Sequence, residues 1–361
     1  MFDHLGNSNS NNTCEVHDLS ENAKSNVVGS FSFFEFNRVL AGACTGFAAL
    51  LIFAHLFNHA THLSVPREQL KIMRVALLVP VYALISLMCI CFPKAAVYLD
   101  PWYDMAEANA LVAFFLLLCE YVSEHHDQRA DFFTTVEISD KKAREKGIDG
   151  ATWFKQRWVM VFQYPIIAIA CAIATDVTES IGVFCQYETS IHHAKLWIGI
   201  IKNVSQFAAI MAVFMVALTL KPNMPHNKPV RKLVAIKLVV ALAFLQSILF
   251  WILEDTEALK PSDTLTYADL KIGIPNLLSC IEMVPISLVM AWSYPVSPYK
   301  YGGAAQSQRT GSVESGEHYV PSSYQGGFLG FRAFLAMFDP SDAIKGTVRS
   351  VKMLTNQYSG Y

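Results

Sequence analysis

Several ionisable side chains lie inside long apolar stretches of this sequence, where no water is available to solvate a charge. They are Glu107, Glu120, Lys202, Lys237 and Glu282. Insertion scales put the cost of such a residue at the centre of a membrane helix at roughly 2.5 to 3.5 kcal/mol, so it usually faces other protein groups or a water-filled cavity. We therefore predict a polar seam through a helical bundle, which could line the route of a solute or carry protons.

The seam is predicted to pair Glu107 with Lys202 in the outer half of the bundle and Glu120 with Lys237 in the inner half, with Glu282 between the two layers. In the alternative, both lysines extend to the nearest membrane surface and the carboxyl groups only fix how the helices pack. Both alternatives stay open for Lys237. Polar amides accompany these charges on the same stretches and join the predicted site: Gln163, Asn203 and Gln246.

A proline lies three residues after Glu282, Pro275 lies in the same apolar stretch, and two other stretches contain one proline each, Pro80 and Pro165. Pro285 removes a backbone donor and bends or loosens its helix. Carbonyl groups freed there could bind a solute or a cation. Proline is also common in membrane helices that have no such role. We therefore count Pro285 as a supporting residue of the predicted site.

Three histidines, His55, His59 and His62, share one helical face at the end of the first apolar stretch. This spacing could bind zinc, but no cysteine or carboxylate from another element is assigned to complete the site. We therefore expect interfacial histidines and no metal. The sequence has no Gly-rich phosphate loop, no His-Glu-x-x-His and no Gly-x-Ser-x-Gly motif, so we predict neither an enzyme nor a cofactor, although a bound lipid or sterol is compatible with the pattern.

Seven apolar stretches must position these side chains. A helix needs ~20 mostly apolar residues to cross the hydrocarbon layer. The stretches run approximately over Phe36–Phe57, Ile72–Phe92, Trp102–Val122, Trp158–Val177, Leu196–Leu220, Leu233–Leu253 and Ile272–Trp292. With 53% hydrophobic and 16% charged residues, the chain is too apolar for an ordinary soluble domain. The prediction is an all-α membrane protein, a bundle of seven transmembrane helices.

The basic residues in the connections fall unequally on alternate sides. If the N-terminus is external, fourteen Lys and Arg residues lie in cytoplasmic loops against four in external loops. The positive-inside rule then favours an external or lumenal N-terminus and a cytoplasmic C-terminus. Cys14 and Cys185 would both be external, where they could form a disulfide or remain two unrelated thiols.

The two ends of the chain differ from the bundle in composition. We predict a disordered external tail over 1–35, a transmembrane domain over 36–299, a flexible linker over 300–327 and a cytoplasmic amphipathic segment over 328–361. In the last segment, Asp339 to Asp342 is typical of a helix start, and Ile344, Val348 and Val351 recur at helical spacing. Such a helix either lies on the inner leaflet or docks into a groove of a cytosolic partner.

An ordered set of short segments resembles the organic solute transporter α-subunit family, which includes the transmembrane protein 184 group. The segments cover about residues 55 to 300. They are Pro66–Gln69 with Ile72–Arg74, Val79–Ala83 with Ser86, Tyr103-Asp104 with Glu107-Ala108, Cys119–Tyr121 with Glu124, Gln163-Tyr164, Asn203–Ser205, Lys228-Pro229, Lys237–Val240 with Gln246, Cys280–Met283 and Tyr294-Pro295. Tyr82, inside one of these segments, joins Glu120, Gln163 and Pro285 as a supporting residue of the predicted site.

The resemblance implies a seven-helix fold with an external N-terminus. Animal α-subunits move steroid-derived and other amphipathic organic anions by facilitated transport and need a separate single-span β-subunit. Fungal and plant relatives are associated with vacuolar or endosomal membranes. This chain departs from the animal pattern, because its second cytoplasmic loop lacks a cysteine cluster and Ser123 stands where relatives have a Gly-Gly pair.

Two functions follow from these observations. The first is a facilitative transporter of amphipathic, steroid- or lipid-like organic anions, in which Lys202 or Lys237 attracts the anion and Glu107 and Glu282 hold helices or relay protons. The second is a vacuolar or endosomal membrane anchor that recruits cytosolic trafficking or autophagy factors through residues 328–361. We expect membrane lipids as partners, a second copy of the chain or a small single-span subunit as further candidates, and no nucleic acid.

Overall fold

The computed structural model describes residues 31–123, 126–138, 140–186, 191–223, 228–255, 261–300 and 324–356. Most of the predicted N-terminal tail and of the 300–327 linker lies outside these ranges, as does Cys14. Cys185 is disulfide-bonded. The helices are α1 Phe33–Thr61, α2 Pro66–Ala76, α3 Leu78–Cys91, α4 Ala96–Leu99, α5 Pro101–Val122, α6 His126–Thr135, α7 Lys141–Glu145, α8 Gly150–Ser180, α9 Ala194–Asn223, α10 Pro229–Asp255, α11 Ile274–Ser293, α12 Phe331–Met337 and α13 Ser341–Asn356.

Six helical segments of the described chain are long and apolar enough to cross a membrane, which confirms an all-α, multi-pass membrane protein. One of the seven predicted stretches, Leu233–Leu253, is not among these six segments and falls within the 27-residue helix α10. The six segments are Phe33–Thr61, Pro66–Cys91, Pro93–Val122, Gly150–Ser180, Ala194–Pro222 and Asp269–Tyr299.

Local sequence signals set where several helices begin. Ser32 and Glu35 form a reciprocal capping box before α1, in which the Ser32 backbone N–H donates to the Glu35 carboxylate at 3.0 Å. Such a box provides partners for N–H groups that have none inside the helix. Pro66 and Pro101 are the first residues of α2 and α5, where a missing N–H costs nothing. The break between α2 and α3 at Leu77 is explained by Pro80, which cannot donate to Ala76, four residues earlier.

An aromatic cluster joins α5 to the first half of α8. Trp158 stacks on Phe162 with ring centroids 4.9 Å apart, and Phe115 of α5 meets the Trp158 ring edge at 5.5 Å. All three rings are fully buried. In contrast, the outward faces of α1 and α9 carry exposed large apolar side chains, among them Leu50 and Phe207. Exposed apolar faces of this extent fit helices surrounded by lipid.

The C-terminal segment, α12 and α13, docks against one end of the bundle, which we call the inner end, and the opposite end is called the outer end. α13 begins as predicted, with the Ser341 backbone N–H donating to the Asp339 carboxylate at 2.9 Å. The Trp158 indole N–H donates to the Gly346 carbonyl at 3.0 Å, so α13 lies against α8. Four large apolar side chains of α13 are exposed, Ile344, Val348, Val351 and Leu354, beside the exposed polar residues Lys345, Lys352 and Thr355. The helix therefore turns apolar side chains away from the bundle, as expected at a lipid surface.

Gly346 permits this close approach, because a Cβ there would lie 2.2 Å from the Phe162 ring. We predict that Gly346→Ala displaces α13, and that trypsin then cleaves the segment several-fold faster at Lys345 and Arg349. An undocked helix of 16 residues is marginal in water and becomes accessible to protease. Limited proteolysis of the purified protein, followed by mass spectrometry, measures this rate.

The matched control is Gly42→Ala in α1, where a Cβ meets nothing within 4 Å. It should be cleaved at the wild-type rate. Alanine has a higher helix propensity than glycine, so Gly346→Ala by itself stabilises the helical conformation of α13. Wild-type protection of the Gly346→Ala protein would therefore show that contact with Phe162 does not hold the segment in place.

Candidate functional site

A buried ion pair, with a hydrogen bond to the same carboxylate, joins three helices in the middle of the bundle. Glu107 of α5 is 1% exposed and pairs with Lys237 of α10. Its second carboxylate oxygen accepts a hydrogen bond from Gln206 Nε2 of α9 at 2.7 Å. A carboxylate withdrawn from water is stable only when paired and hydrogen-bonded, and both conditions are met here.

A second ion pair lies one helical turn nearer the outer end. Lys202 Nζ of α9 is 3.0 Å from the Asp104 carboxylate of α5. Both side chains line a pocket of about 250 Å³ between α5, α8 and α9, together with Asp100 and Lys195. We call this the outer pocket. Asp104, Glu107, Lys202, Gln206 and Lys237 form the observed polar seam.

The predicted meeting of charged groups from different helices is confirmed, but the predicted partners are wrong. Glu107 pairs with Lys237 and not with Lys202, which takes Asp104. Lys237 does not extend to the membrane surface, because its Nζ turns into the bundle toward Glu107. Asp104 and Glu107 are three residues apart and share one face of α5, so each offers a carboxylate at a different depth.

Glu120 belongs to a separate network at the inner end, and its predicted pairing with Lys237 is wrong. Its carboxylate lies 3.2 Å from Lys71 Nζ of α2 and 3.1 Å from Arg129 Nη2 of α6. Lys71 also approaches Asp342 of α13 at 3.7 Å. Sequence reasoning only counted Lys71 and Arg129 among the basic residues of the cytoplasmic loops, and the structure buries both.

The predicted amides have different surroundings. The Ser205 hydroxyl of α9 donates to the Gln163 carbonyl oxygen of α8 at 2.7 Å, and Gln163 donates back to the Ser205 backbone carbonyl at 3.0 Å. Gln246 is buried beside Glu282, which is half-buried. Asn203 has an exposed side chain, which does not line the interior seam.

The supporting residues Tyr82 and Pro285 lie on α3 and α11, and Tyr82 is within electrostatic range of Glu107 and Asp104. Tyr82 is 8% exposed, and its ring centroid is 4.8 Å from that of Tyr103. The Tyr103 hydroxyl donates to Asn276 of α11 at 2.9 Å and lies 2.8 Å from the Ser86 hydroxyl of α3. This group joins α3, α5 and α11. Pro285 lies inside α11 and is exposed.

The three histidines have ordinary protein contacts. His59 Nε2 lies 3.0 Å from the Tyr294 carbonyl oxygen, and His55 meets the His59 ring with centroids 4.8 Å apart. His62 Nδ1 lies 3.0 Å from the Asn58 carbonyl oxygen. Within the described ranges, no group of three His, Cys, Asp or Glu side chains is arranged to hold a metal ion.

The feature that sequence reasoning missed is a groove of about 580 Å³ between α2–α3 and α5, which we call the lateral groove. Its lining is mainly apolar and runs from Trp102 near the outer end of α5 to Leu116 near the inner end. Asn109 lies midway, and Arg74 lies at the inner end. Met337, Phe338, Asp339, Pro340 and Ala343 of the C-terminal segment close that end. No local signal predicts this groove, because it depends on where α12 and α13 dock.

Comparison with known proteins identifies the family of this chain. Residues 38–299 match the family described as organic solute transporter Ostalpha. The chain belongs to the organic solute transporter Ostalpha family. A similar protein, a transmembrane protein 184 homolog from Dictyostelium discoideum, is 26% identical over 261 residues, which cover 68% of this chain. The matched region covers 49% of that relative, so this chain matches about half its length. No solved structure matches the chain.

In this member of the Ostalpha family, the buried pair predicts a strong stability effect. Lys237→Met leaves the Glu107 carboxylate buried without its cation, so we expect the free energy of unfolding to fall by about 3 to 5 kcal/mol. Lys202→Met removes the more exposed pair and should lower the free energy of unfolding by about 1 kcal/mol or less. Unfolding of the purified protein in mixed micelles with rising SDS measures both.

A double variant separates loss of the pair from loss of packing. Glu107→Gln with Lys237→Met removes both charges and should be more stable than Lys237→Met alone. If Lys237→Met and Lys202→Met destabilise equally, the Glu107–Lys237 pair is not the main electrostatic contact between these helices.

Proposed function

We propose that this protein is a facilitative transporter of amphipathic organic anions, steroid- or lipid-like in size, which move along the lateral groove. The observation that carries the proposal is the composition of this groove. It combines about 580 Å³ of mainly apolar space with one amide midway and, at its inner end, the Arg74 guanidinium and the Asp339 carboxylate. Ligand sites of drug-sized molecules have volumes of roughly 300 to 1,000 Å³ and few polar groups. Membership of the Ostalpha family supports the same class of substrate.

The polar seam is the weaker candidate for the route. Each of its cations already has a carboxylate partner on another helix, Lys202 with Asp104 and Lys237 with Glu107. An anionic solute would have to displace a buried carboxylate, which is costly. We propose that these pairs, and Gln246 beside Glu282, hold the helices that form the groove.

At the inner end of the groove, an anion would meet Arg74. The Arg74 guanidinium donates to the carbonyl oxygens of Met337 at 2.8 Å and Ala336 at 3.2 Å, and lies 3.3 Å from the Asp342 carboxylate. An arriving carboxylate or sulfate would compete with Asp342 for the same planar donor group. We propose that this competition loosens the C-terminal segment and lets the solute leave toward the cytoplasm.

The proposed arrangement in the membrane has seven spans, with α10 as the sixth along the chain. The N-terminus is external or lumenal and the C-terminus cytoplasmic. The asymmetry of basic residues supports this orientation. We further propose a vacuolar or endosomal membrane as the location, and a second copy of the chain or a small single-span subunit as partner, on the basis of the family resemblance.

Filling the groove should stop transport. Ala106→Phe adds a ring to the groove wall, and we expect it to lower the initial uptake rate of a radiolabelled sterol sulfate by at least tenfold in proteoliposomes. The matched control is Ala170→Phe, at an exposed position of α8, which should keep the wild-type rate. Wild-type uptake by the Ala106→Phe protein would exclude the lateral groove as the route. Absence of flux of any sterol sulfate, bile acid or lipid anion through the wild-type protein would reject the transporter.

A second candidate function is a membrane anchor that recruits a cytosolic partner through the C-terminal segment. The observation that favours it is the row of exposed apolar side chains on α12 and α13, which includes Phe331, Leu335 and Phe338. The double substitution Ile344→Ser with Val348→Ser would remove part of this apolar face and leave unchanged the face of α13 that packs on the bundle. If cellular recruitment fails while sterol sulfate uptake is unchanged, this second function gains support.

A further inference from the structure

A cavity of about 290 Å³ lies beneath α13, apart from the lateral groove. Four cationic side chains line it, against two carboxylates, Glu120 and Asp342. The cations are Lys71, Arg129, Lys345 and Arg349. We call it the inner basic cavity. Its lining groups therefore carry two more positive than negative charges.

The two deepest cations share their carboxylate. Glu120 lies within 3.2 Å of both Lys71 and Arg129, which are 4% and 2% exposed. With Asp342, which lies 3.7 Å from Lys71, the cavity holds two carboxylates against four cations. A dianionic group in the cavity would complete the charge balance, and electrostatic attraction is stronger here than at an exposed surface.

The far wall of the cavity comes from α13 itself. Gly346 lies over Trp158 through the indole hydrogen bond of 3.0 Å, and the Arg349 guanidinium stacks on the Trp158 ring at 5.5 Å. This stacking holds the planar guanidinium group of Arg349, with its N–H donors, at the edge of the cavity. Guanidinium groups in such a geometry suit phosphate oxygens, which accept two parallel hydrogen bonds.

On its other side, α13 borders a cleft of about 590 Å³ that also includes Arg349. Val159, Met160, Met353 and Leu354 supply apolar walls, and Lys155 and Lys352 add positive charge. A basic cavity thus continues past Arg349 into an amphipathic cleft. The exposed apolar face of α13 borders the same region, which would lie at the level of lipid headgroups.

We propose that the inner basic cavity binds the phosphate group of an anionic phospholipid, whose glycerol and acyl chains follow the cleft between α8 and α13. α13 acts as a clasp, because it supplies Lys345 and Arg349 to the phosphate and covers it from the cytoplasm. This site is independent of transport through the lateral groove. A soluble phosphate compound has the same recognition chemistry and is distinguished by experiment.

The test measures binding of dioleoyl phosphatidylinositol 4-phosphate to the purified full chain in detergent, by microscale thermophoresis. The variant Lys345→Gln with Arg349→Gln should bind about thirtyfold more weakly, roughly fivefold for each cation removed near an anionic group. The control, Lys221→Gln with Lys300→Gln, removes two exposed cations and should bind as the wild type does. Phosphatidylcholine, which has no net charge, should bind at least tenfold more weakly than the phosphoinositide.

Lys345 is exposed, so Lys345→Glu should unfold at the wild-type temperature, which thermal unfolding without lipid measures. Lys345→Glu should also weaken binding. Equal affinity of the wild type, the double variant and Lys345→Glu would overturn the proposal, as would equal affinity for phosphatidylcholine. The water-soluble headgroup, inositol 1,4-bisphosphate, should bind at least tenfold more weakly than the lipid. If it binds as tightly, the ligand is a soluble phosphate compound and the lipid assignment is wrong.

Discussion

Hydrocarbon cannot solvate a charge, and this constraint determines how the bundle is assembled. Glu107, almost fully buried, meets Lys237 and Gln206 from two other helices. The cost of leaving such a carboxylate unpaired exceeds the contribution of most single packing contacts. The relative positions of α5, α9 and α10 are therefore fixed by one polar contact, while the apolar faces around it tolerate more variation.

The same constraint separates structural charges from those available to a ligand. Inside the bundle, Lys202 and Lys237 each have one carboxylate partner, so the interior carries little uncompensated charge. At the inner end, cations outnumber carboxylates beneath α13, and Arg74 shares Asp342 with Lys71. Binding of anions is therefore expected at this end. An amphipathic solute and a phospholipid headgroup would use different sides of the C-terminal segment.

Features that depend on local pattern were predictable from the sequence. The apolar stretches needed only a count of residues against bilayer thickness, and the start of α13 needed only Asp339 and Ser341 at capping positions. That buried charges would meet also followed from their cost. Their partners did not, because Asp104 and Glu107 differ by only about 4.5 Å along α5 and the choice depends on the offset between helices. The lateral groove and the inner basic cavity depend on contacts of α12 and α13 with residues 263 and 188 positions earlier in the chain.

The most direct test is a structure of the full chain in lipid nanodiscs with a bound sterol sulfate. The account predicts density for the sterol rings along the lateral groove between α3 and α5, with the sulfate within hydrogen-bonding distance of Arg74 and the Glu107–Lys237 pair intact. Density for the sterol sulfate between Lys202 and Lys237, with those ion pairs broken, would contradict it.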